Sequence, residues 1–154
     1  MIHYDLREVM EILSSKSGEF KIKGKKAGIT IDSKAMIGEF VLPGPGEYEV
    51  AGVDAVGLKD GVYKFKIDGV KVCFLPRKLN ENEKDVVGSV DILITAAVNG
   101  FDTSLDASYV IPYGPEEDVS KFAKDAGSEN LAAQPKLVTS ADKLPETTTV
   151  VILG

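Results

Sequence analysis

The sequence predicts an α+β fold that is rich in strands and has few helices. Two segments, residues 19–31 and 62–75, alternate apolar and polar side chains on either side of a turn, as β-hairpins do. Residues 90–95 are almost continuously apolar, which indicates a strand buried on both faces. After Pro115 come acidic residues, an apolar stripe and then Gly127, a pattern typical of a helix.

The chain is expected to begin with a helix over residues 5–15. Asp5 and Glu8 have the spacing of a capping box, in which each side chain bonds the other's backbone N–H. Four apolar residues fall on one helical face, the stripe that docks on a core: Leu6, Val9, Met10 and Leu13.

In the first hairpin, Phe20 and Ile22 alternate with lysines, and Gly24-Lys25 supplies the turn. The basic side chains of this hairpin form a local patch, namely Lys21, Lys23, Lys25 and Lys26. We interpret the patch as a solvated hairpin face, with an anion site as the alternative. No interleaved aromatic residues favour nucleic acid.

A rigid turn organises the middle of the chain. It lies between the apolar strand Phe40-Val41-Leu42 and an alternating strand from Tyr48 past Gly52 to Val53. Its two prolines fix φ and its two glycines allow conformations that other residues resist. The second hairpin follows, with Asp68-Gly69 as its two-residue turn.

The second half of the chain is predicted with fewer details. Residues 78–88 are either a loop or a weak helix. Asn99-Gly100 is a turn, residues 109–112 form a strand, and Pro115 is the first residue of the later helix. Short strands over residues 136–139 and 148–153 complete the chain.

Composition narrows the class of protein. A length of 154 residues predicts one domain, and a net charge of −6 argues against a general nucleic-acid binder. No apolar run approaches the roughly 20 residues of a membrane helix, and the start lacks a signal-peptide pattern, so a cytoplasmic protein is expected. One histidine and one cysteine cannot build an imidazole-based zinc site within one chain.

The segment Gly44-Pro45-Gly46-Glu47-Tyr48-Glu49-Val50, followed by Gly52-Val53, resembles a signature of the metallo-β-lactamase-fold hydrolases. The resemblance is to the branch of predicted zinc-dependent hydrolases that has lactonase-like members. Further matches follow in the family's order along most of the chain after Gly18, including both hairpins and the strands at 90–94 and 110–112. The resemblance implies a reduced αββα sandwich: two packed, mainly antiparallel β-sheets with few outer helices.

The departures from the family concern the metal ligands. The family has a His-x-His-x-Asp-His cluster after its opening hairpin, whereas here Asp32 leads within a few residues to Phe40. A further histidine is replaced by the short link Leu58-Lys59-Asp60-Gly61. The bridging aspartate corresponds to Arg77, and the last histidine falls near Tyr113-Gly114. The resemblance therefore implies the family's β scaffold without its metal apparatus.

A few residues are candidates for chemistry, each with a simpler interpretation that we prefer. His3 has the pKa range of a general base but is expected to be a surface histidine. Cys73 could be a nucleophile, which would need an accessible, electropositive setting. It lies within a strand between Val72 and Phe74, so we interpret it as a buried or half-buried side chain that packs like a small apolar residue. Glu47 and Glu49 share strand parity and could, with Asp32, bind a hard cation, but a structural or solvated role is favoured.

We therefore predict a single domain over residues 1–154, with residues 1–17 as an additional N-terminal helix. We predict no catalytic, cofactor-binding or metal-ligating residues, and no cofactor. The expected function is that of a non-catalytic relative of metal-dependent hydrolases, a pseudoenzyme acting by binding or assembly. The alternatives are a metal-dependent hydrolase with a non-standard or intersubunit site, and a regulatory subunit of a full-length relative.

The expected partner is a second copy of the chain. Loss of a covering helix and of the metal loops should leave apolar sheet surface exposed, and two-fold self-association is the commonest way to cover it. A homodimer or higher oligomer is therefore predicted, with neither nucleic acid nor a membrane as partner. The sequence does not specify a small-molecule ligand.

Overall fold

The structure is a computed structural model that describes residues 9–14, 19–102, 104–128 and 131–154. In this part of the chain, strands dominate and two α-helices are present. In chain order the elements are β1 (Met10–Ser14), β2 (Phe20–Lys23), β3 (Gly28–Ile31), β4 (Ala35–Ile37), β5 (Phe40–Val41), β6 (Gly46–Val50), β7 (Val53–Gly57), β8 (Tyr63–Ile67), β9 (Val70–Leu75), α1 (Glu81–Val87), β10 (Ile92–Ala96), β11 (Tyr109–Tyr113), α2 (Glu116–Asp125), β12 (Lys136–Thr139) and β13 (Thr149–Val150).

The strands form two sheets. The six-stranded sheet has the order β12-β1-β2-β3-β4-β5 and is antiparallel throughout. The seven-stranded sheet has the order β13-β11-β10-β9-β8-β7-β6. It is antiparallel from β6 to β9, but β9, β10, β11 and β13 run parallel. The carboxyl ends of these parallel strands therefore meet at one edge of the sheet.

One apolar core fills the space between the sheets. Every second residue of the six-stranded sheet points into it, for example Ile12, Ile22 and Ile29. A second core covers the other face of the seven-stranded sheet, where Val87 of α1 and Phe122 of α2 pack over strand residues. Strands β9 and β10 lie between the two cores. Strand β10 is buried at every position, as its nearly continuous apolar run predicts, and β9 is buried at every position except Lys71.

The predicted helix over residues 5–15 is wrong where the structure describes it. Met10–Ser14 is strand β1, paired on one side with β2 and on the other with β12. Met10 and Ile12 are buried while Leu13 is only half-buried, which is a period of two. The two ladders satisfy the backbone groups that a helix would have satisfied internally. Asp5, Leu6 and Glu8 lie outside the described residues.

Both predicted hairpins are confirmed. Strands β2 and β3 pair around the turn after Lys23, and β8 pairs with β9 around Asp68-Gly69. Asp68 and Gly69 have φ of 51° and 78°, the left-handed geometry that a tight two-residue hairpin turn requires.

Two details of the middle region differ from the prediction. The alternating strand after Tyr48 is broken by a turn at Ala51-Gly52, where φ is 52° and 81°, so it forms the hairpin β6–β7. The apolar strand at Phe40 is confirmed as β5, but it lies at a sheet edge, and Phe40 and Val41 are exposed.

The helices begin and end at recognisable signals. Residues 78–88, left open between loop and helix, contain α1, which begins with a capping box of Asn80 and Glu83. Pro115 caps α2 and the helix begins one residue later, at Glu116. Among the described residues, no helix is both long and apolar enough to cross a lipid bilayer.

Candidate functional site

A cleft of about 490 Å³ opens where several strands end. Its walls come from the end of β3 at Ile31, from Pro76 after β9, from Tyr113 at the end of β11, and from Asp60 and Gly61 in the link between β7 and β8. These elements are distant in sequence. They meet because the two sheets pack face to face with these strand ends at the same side of the sandwich.

Aromatic rings form the floor of the cleft. Phe74 and Tyr113 stack with ring centroids 5.4 Å apart and ring planes 11° apart. Phe20 contacts both rings edge-on, at 6.1 Å from Phe74 and 5.4 Å from Tyr113. Tyr63, which also lines the cleft, stacks on the buried Phe65 at 5.9 Å. Such arrangements are favourable beyond the area that they bury, so the rings of the floor stabilise one another.

Burial changes the acidity of the two tyrosines in this floor. It raises the pKa of Tyr113 to about 12 and also raises the pKa of Tyr63. Both phenols are therefore neutral at physiological pH. Neither has the lowered pKa that a tyrosine base or nucleophile needs.

Polar residues form the rim. Asp32 closes a local turn, because its Oδ1 accepts hydrogen bonds from the Lys34 N–H at 2.8 Å and from the Ser33 hydroxyl at 3.4 Å. On the opposite side, Asp60 has φ of 61° and ψ of 38°, a left-handed conformation that is uncommon outside glycine. Gly61 follows it with φ of 78°. This backbone lets the short link from β7 to β8 turn tightly beside the floor.

Arg77 lies beside the cleft and joins two segments. Its Nη1 and Nη2 donate to the two carboxylate oxygens of Glu83 at 2.8 and 2.6 Å, a bidentate pair. Nη2 also donates to the carbonyl of Lys59 at 2.9 Å, and Nε lies 3.5 Å from Oδ2 of Asp60. Arg77 thus links the first turn of α1 to the loop that carries Asp60.

This ion pair shifts the pKa values of Glu83 and Arg77 so that both side chains stay charged over a wider pH range. The hydrogen bond from Arg77, helped by the Asn80 N–H, holds the pKa of Glu83 at about 2 instead of the usual 4.5. The hydrogen bond to Glu83 likewise raises the pKa of Arg77. The guanidinium is therefore a fixed positive charge beside the cleft.

The residues of the cleft do not fit a transition-metal ion. A catalytic zinc site takes three protein ligands from histidine, cysteine and carboxylates. The cleft offers the carboxylates of Asp32 and Asp60, with Lys34 and Arg77 close by. Within the described ranges, no three histidine, cysteine, aspartate or glutamate side chains come together as a metal site would need.

The structure separates the candidate residues that the sequence singles out. Glu47 and Glu49 are exposed on the edge strand β6, and neither lines the cleft that contains Asp32. Cys73 is fully buried under the helices, and burial raises the pKa of its thiol to about 12, so it lacks the accessible thiolate of a nucleophile. His3 lies outside the described residues.

The Gly-Pro-Gly-Glu-Tyr segment has a structural part in this fold. The Tyr48 hydroxyl turns back and donates to the carbonyl of Gly44 at 2.8 Å. Gly44 and Gly46 have φ of 135° and 146°, which only glycine adopts readily. The Gly44 carbonyl in turn lies against Gly57 of β7, where an added Cβ would be 2.6 Å from the oxygen. The turn is thereby fixed against the strand that leads to the cleft.

Sequence reasoning missed the aromatic floor. Tyr63 and Phe74 read only as the apolar face of a hairpin, and Phe20 as part of another. Tyr113 falls near the position that the resemblance assigns to the family's last histidine. With Asp32 and the link at residues 58–61, which the resemblance also matches to ligand positions, it is the sequence signal that points to the cleft.

Comparison with known proteins gives one informative result. No family model matches the chain, and no curated protein matches it. Among solved structures, the chain is similar to the crystal structure of a "putative Zn-dependent hydrolase of the metallo-beta-lactamase superfamily" from Thermotoga maritima, with a TM-score of 0.67 and 21% identity. The match covers 94% of this chain and 98% of that chain, so the two are nearly equal in length.

The similarity confirms the predicted fold. The chain has the two mainly antiparallel sheets and the helices of a metallo-β-lactamase-like sandwich. In the described residues both helices contribute to the core on the outer face of the seven-stranded sheet.

Proposed function

We propose that this protein is a non-catalytic relative of metal-dependent hydrolases that acts by binding or by assembly. One observation supports the proposal most strongly. The segments that the resemblance matches to the family's ligand positions lie at or beside one cleft: Asp32, Asp60 and Tyr113 line it, and Arg77 beside it is held in an ion pair with Glu83. The scaffold is kept while the groups that would hold metal ions are replaced.

The chemistry of the class explains why this replacement matters. A zinc hydrolase lowers the pKa of a bound water to near 7 and so produces a nucleophile at neutral pH. Holding the ion requires several anionic or imidazole ligands. Here a guanidinium stands beside the cleft, and a lysine lies on its rim. Both charges oppose a cation at the place where the family binds one.

Metal analysis tests this proposal. The protein is purified without chelator, incubated with equimolar Zn²⁺, Mn²⁺ or Fe²⁺, desalted and analysed by mass spectrometry for metal content. We expect well below 0.1 equivalent of any metal and no change in melting temperature. Retention of about one equivalent or more would contradict the proposal.

A metal-dependent hydrolase is the second candidate. The Thermotoga maritima protein of similar length is described as a putative Zn-dependent hydrolase, which favours this alternative. If metal is retained, a double variant His3→Ala and Cys73→Ala tests whether the chain's own imidazole and thiol hold it. Loss of metal in the Asp60→Asn variant but not in Asp54→Asn would instead locate it in the cleft.

For assembly, we propose a homodimer formed through the outer face of the six-stranded sheet. Cross-strand pairing puts Leu13, Thr30, Met36 and Val41 on this face in one row with Lys21, and Val138 on the adjacent row with Glu11 and Lys23. Val41 and Val138 are 43% and 46% exposed. Lys136 pairs with Glu11 on the same face at 3.0 Å, which reduces repulsion between two copies.

Light scattering coupled to size exclusion tests the dimer. At micromolar concentration we expect twice the mass of the 16.5 kDa chain. Val41→Lys combined with Val138→Lys should give monomer, because two more lysines on the face that carries Lys21 and Lys23 would add like-charge repulsion between two copies. Val98→Lys is the matched control, since Val98 is exposed elsewhere, after β10. A wild-type protein that is monomeric under these conditions would refute this part of the proposal.

A further inference from the structure

A small pocket lies on the helix-covered face of the seven-stranded sheet, at the carboxyl ends of β9 and β10. Leu75 and Thr95 come from these strand ends, and Lys84 of α1 and Phe122 of α2 line the pocket from the helix side. The pocket shares no lining residue with the cleft, which opens on the other face of the sheet. In open α/β sheets, ligands commonly bind outside the carboxyl ends of parallel strands.

A buried hydroxyl in this pocket lacks an acceptor for its proton. Thr95 is 4% exposed, and its Oγ1 accepts one long hydrogen bond, of 3.4 Å, from Nδ2 of Asn99. The same Nδ2 donates to the Leu75 carbonyl at 3.3 Å, and because a carbonyl can only accept, the amide oxygen of Asn99 points elsewhere. Within the described ranges, the Thr95 hydroxyl makes no hydrogen bond as a donor. A buried donor that stays unpaired is costly, so an acceptor is expected in the pocket.

The charged donors of the pocket are also short of acceptors. The ammonium of Lys84 lies 3.7 Å from Oδ2 of Asp102 and 3.6 Å from Oε1 of Glu81, and both distances exceed the usual length of a hydrogen bond. The other oxygen of Asp102 accepts from the Ser104 N–H at 2.9 Å. Lys78 adds a second ammonium to the lining. Donors therefore outnumber acceptors here, which favours an anionic ligand.

The size and the walls of the pocket limit what this anion can be. Its volume is about 30 Å³, which is room for about two water molecules, whereas a cavity that binds benzene measures roughly 150 Å³. Apolar side chains form most of its walls: Leu75, Leu79, Leu93, Leu105 and Phe122. A tetrahedral oxyanion such as phosphate would turn oxygens toward these walls, where they would lack donors. A carboxylate has only two oxygens and presents an alkyl group on its other side.

From these features we infer that the pocket binds a small monocarboxylate of the acetate class. A carboxylate oxygen accepts from the Thr95 hydroxyl, the ammonium of Lys84 balances the charge, and the short alkyl group lies against the leucines. Arg77 also lines the pocket but is held in its bidentate pair with Glu83, so it is not needed for binding. The inference goes beyond the proposed function and is independent of it, because a metal ion in the cleft would leave this pocket unchanged.

Titration followed by NMR chemical shifts tests the inference. The probes are acetate, the neutral acetamide of nearly the same shape, and inorganic phosphate. All are used at about pH 7, where acetate is ionised, and at low ionic strength, where its charge is little screened. We expect saturable binding of acetate with a Kd of about 1 mM, and binding of acetamide and of phosphate that is weaker by about tenfold or more.

The same titration locates the site. The backbone amide signals of Leu75 and Asn99 should shift on addition of acetate, whereas that of Lys34 in the cleft should not. The inference would be overturned by an absence of saturable shifts up to about 20 mM acetate. Equal or tighter binding of acetamide or phosphate, or shifts confined to the cleft, would also overturn it.

Two variants with matched controls test the residues that carry the inference. Thr95→Val removes the hydroxyl and keeps the shape, so it should weaken acetate binding about tenfold without lowering the melting temperature. Thr139→Val is its control, because Thr139 is also buried in a strand and its hydroxyl has no hydrogen bond among the described residues, but it does not line the pocket.

Lys84→Met should also weaken acetate binding about tenfold, because it removes the charge and keeps most of the side chain. Lys121→Met is its control, since Lys121 lies on α2 outside the pocket, and it should leave the affinity unchanged. Melting temperatures establish that each variant is folded. An affinity for acetate that stays unchanged in both Thr95→Val and Lys84→Met would refute the assignment.

Discussion

The close approach between Gly57 and the Gly-Pro-Gly turn leads to a sharp prediction about Gly57→Ala. A Cβ at position 57 would lie 2.6 Å from the Gly44 carbonyl oxygen and 2.9 Å from Cε1 of Tyr63. Neither group can easily withdraw. The Gly44 oxygen belongs to the backbone and accepts the Tyr48 hydroxyl, and the Tyr63 ring is stacked on Phe65. Overpacking of this kind costs about 1–3 kcal/mol.

We therefore expect Gly57→Ala to lower the free energy of unfolding by about 2 kcal/mol. In a protein of this size that corresponds to a fall in melting temperature of about 4–8 °C. The assay is urea unfolding followed by circular dichroism, with thermal melting as a second measurement. Gly28→Ala is the matched control, because Gly28 is also in a strand and its added Cβ would meet only the Ile22 carbonyl, at 3.6 Å.

The control should change stability by less than about 1 kcal/mol, and a small gain is expected because alanine restricts the unfolded chain. Equal stability of the two variants would show that the turn does not lie against β7 as described.

Three further predictions concern single groups. Tyr48→Phe removes the bond to the Gly44 carbonyl and should lower the free energy of unfolding by about 1 kcal/mol in urea titrations; no change would mean the bond is not made in solution. Because the pKa of Glu83 is about 2 when folded and near 4.5 when unfolded, its pair with Arg77 stabilises fully above pH 4.5 and ceases to do so as the pH falls through 2. The free energy of unfolding, measured from pH 6 to pH 2, should therefore depend less on pH in Arg77→Gln than in the wild type. The same loss of stability with falling pH in both proteins would contradict this. The Cys73 thiol, buried and with its pKa raised to about 12, should not react with a disulfide reagent at pH 8 until urea unfolds the chain; rapid reaction of the native protein would contradict its burial.

The hairpins were predictable because residues that are close in the sequence determine both the turn and the two strands. Asp68-Gly69 specifies a tight turn, and the alternating residues on either side specify which face is buried. The same holds for α2, whose acidic first turn and closing glycine are adjacent in sequence to its apolar stripe. In each case a few neighbouring residues determine both the element and its limits.

The amino-terminal strand was not predictable from local pattern. Apolar residues at 9, 10 and 13 fit a helical face, yet strand pairing decides the outcome. One of the two partners of β1 is β12, more than 120 residues away in the sequence, and Met10 pairs there with Thr139. Tertiary pairing thus overrides a weak local preference.

The cleft was still harder to predict, because its lining comes from residues that are distant in the sequence. Its floor combines Tyr63, Phe74 and Tyr113, each of which is an ordinary strand residue in its own segment. Strand pairing in the seven-stranded sheet places Tyr63 opposite Phe74 and brings Tyr113 close to them, and Phe20 of the other sheet packs against Phe74 and Tyr113. The resemblance to a known family pointed to the strand ends and to Arg77 and Tyr113 there, but not to the stacking of Tyr113 on Phe74 or to the ion pair of Arg77 with Glu83.

The most direct test of the central claim is anomalous X-ray scattering from crystals grown with excess Zn²⁺. Data collected on both sides of the zinc absorption edge report any ordered zinc and its position. We expect no anomalous peak in the cleft between Asp32, Asp60 and Tyr113, and continuous density for the stacked rings of Phe74 and Tyr113. A strong zinc peak there, coordinated by side chains of the same chain, would contradict the account.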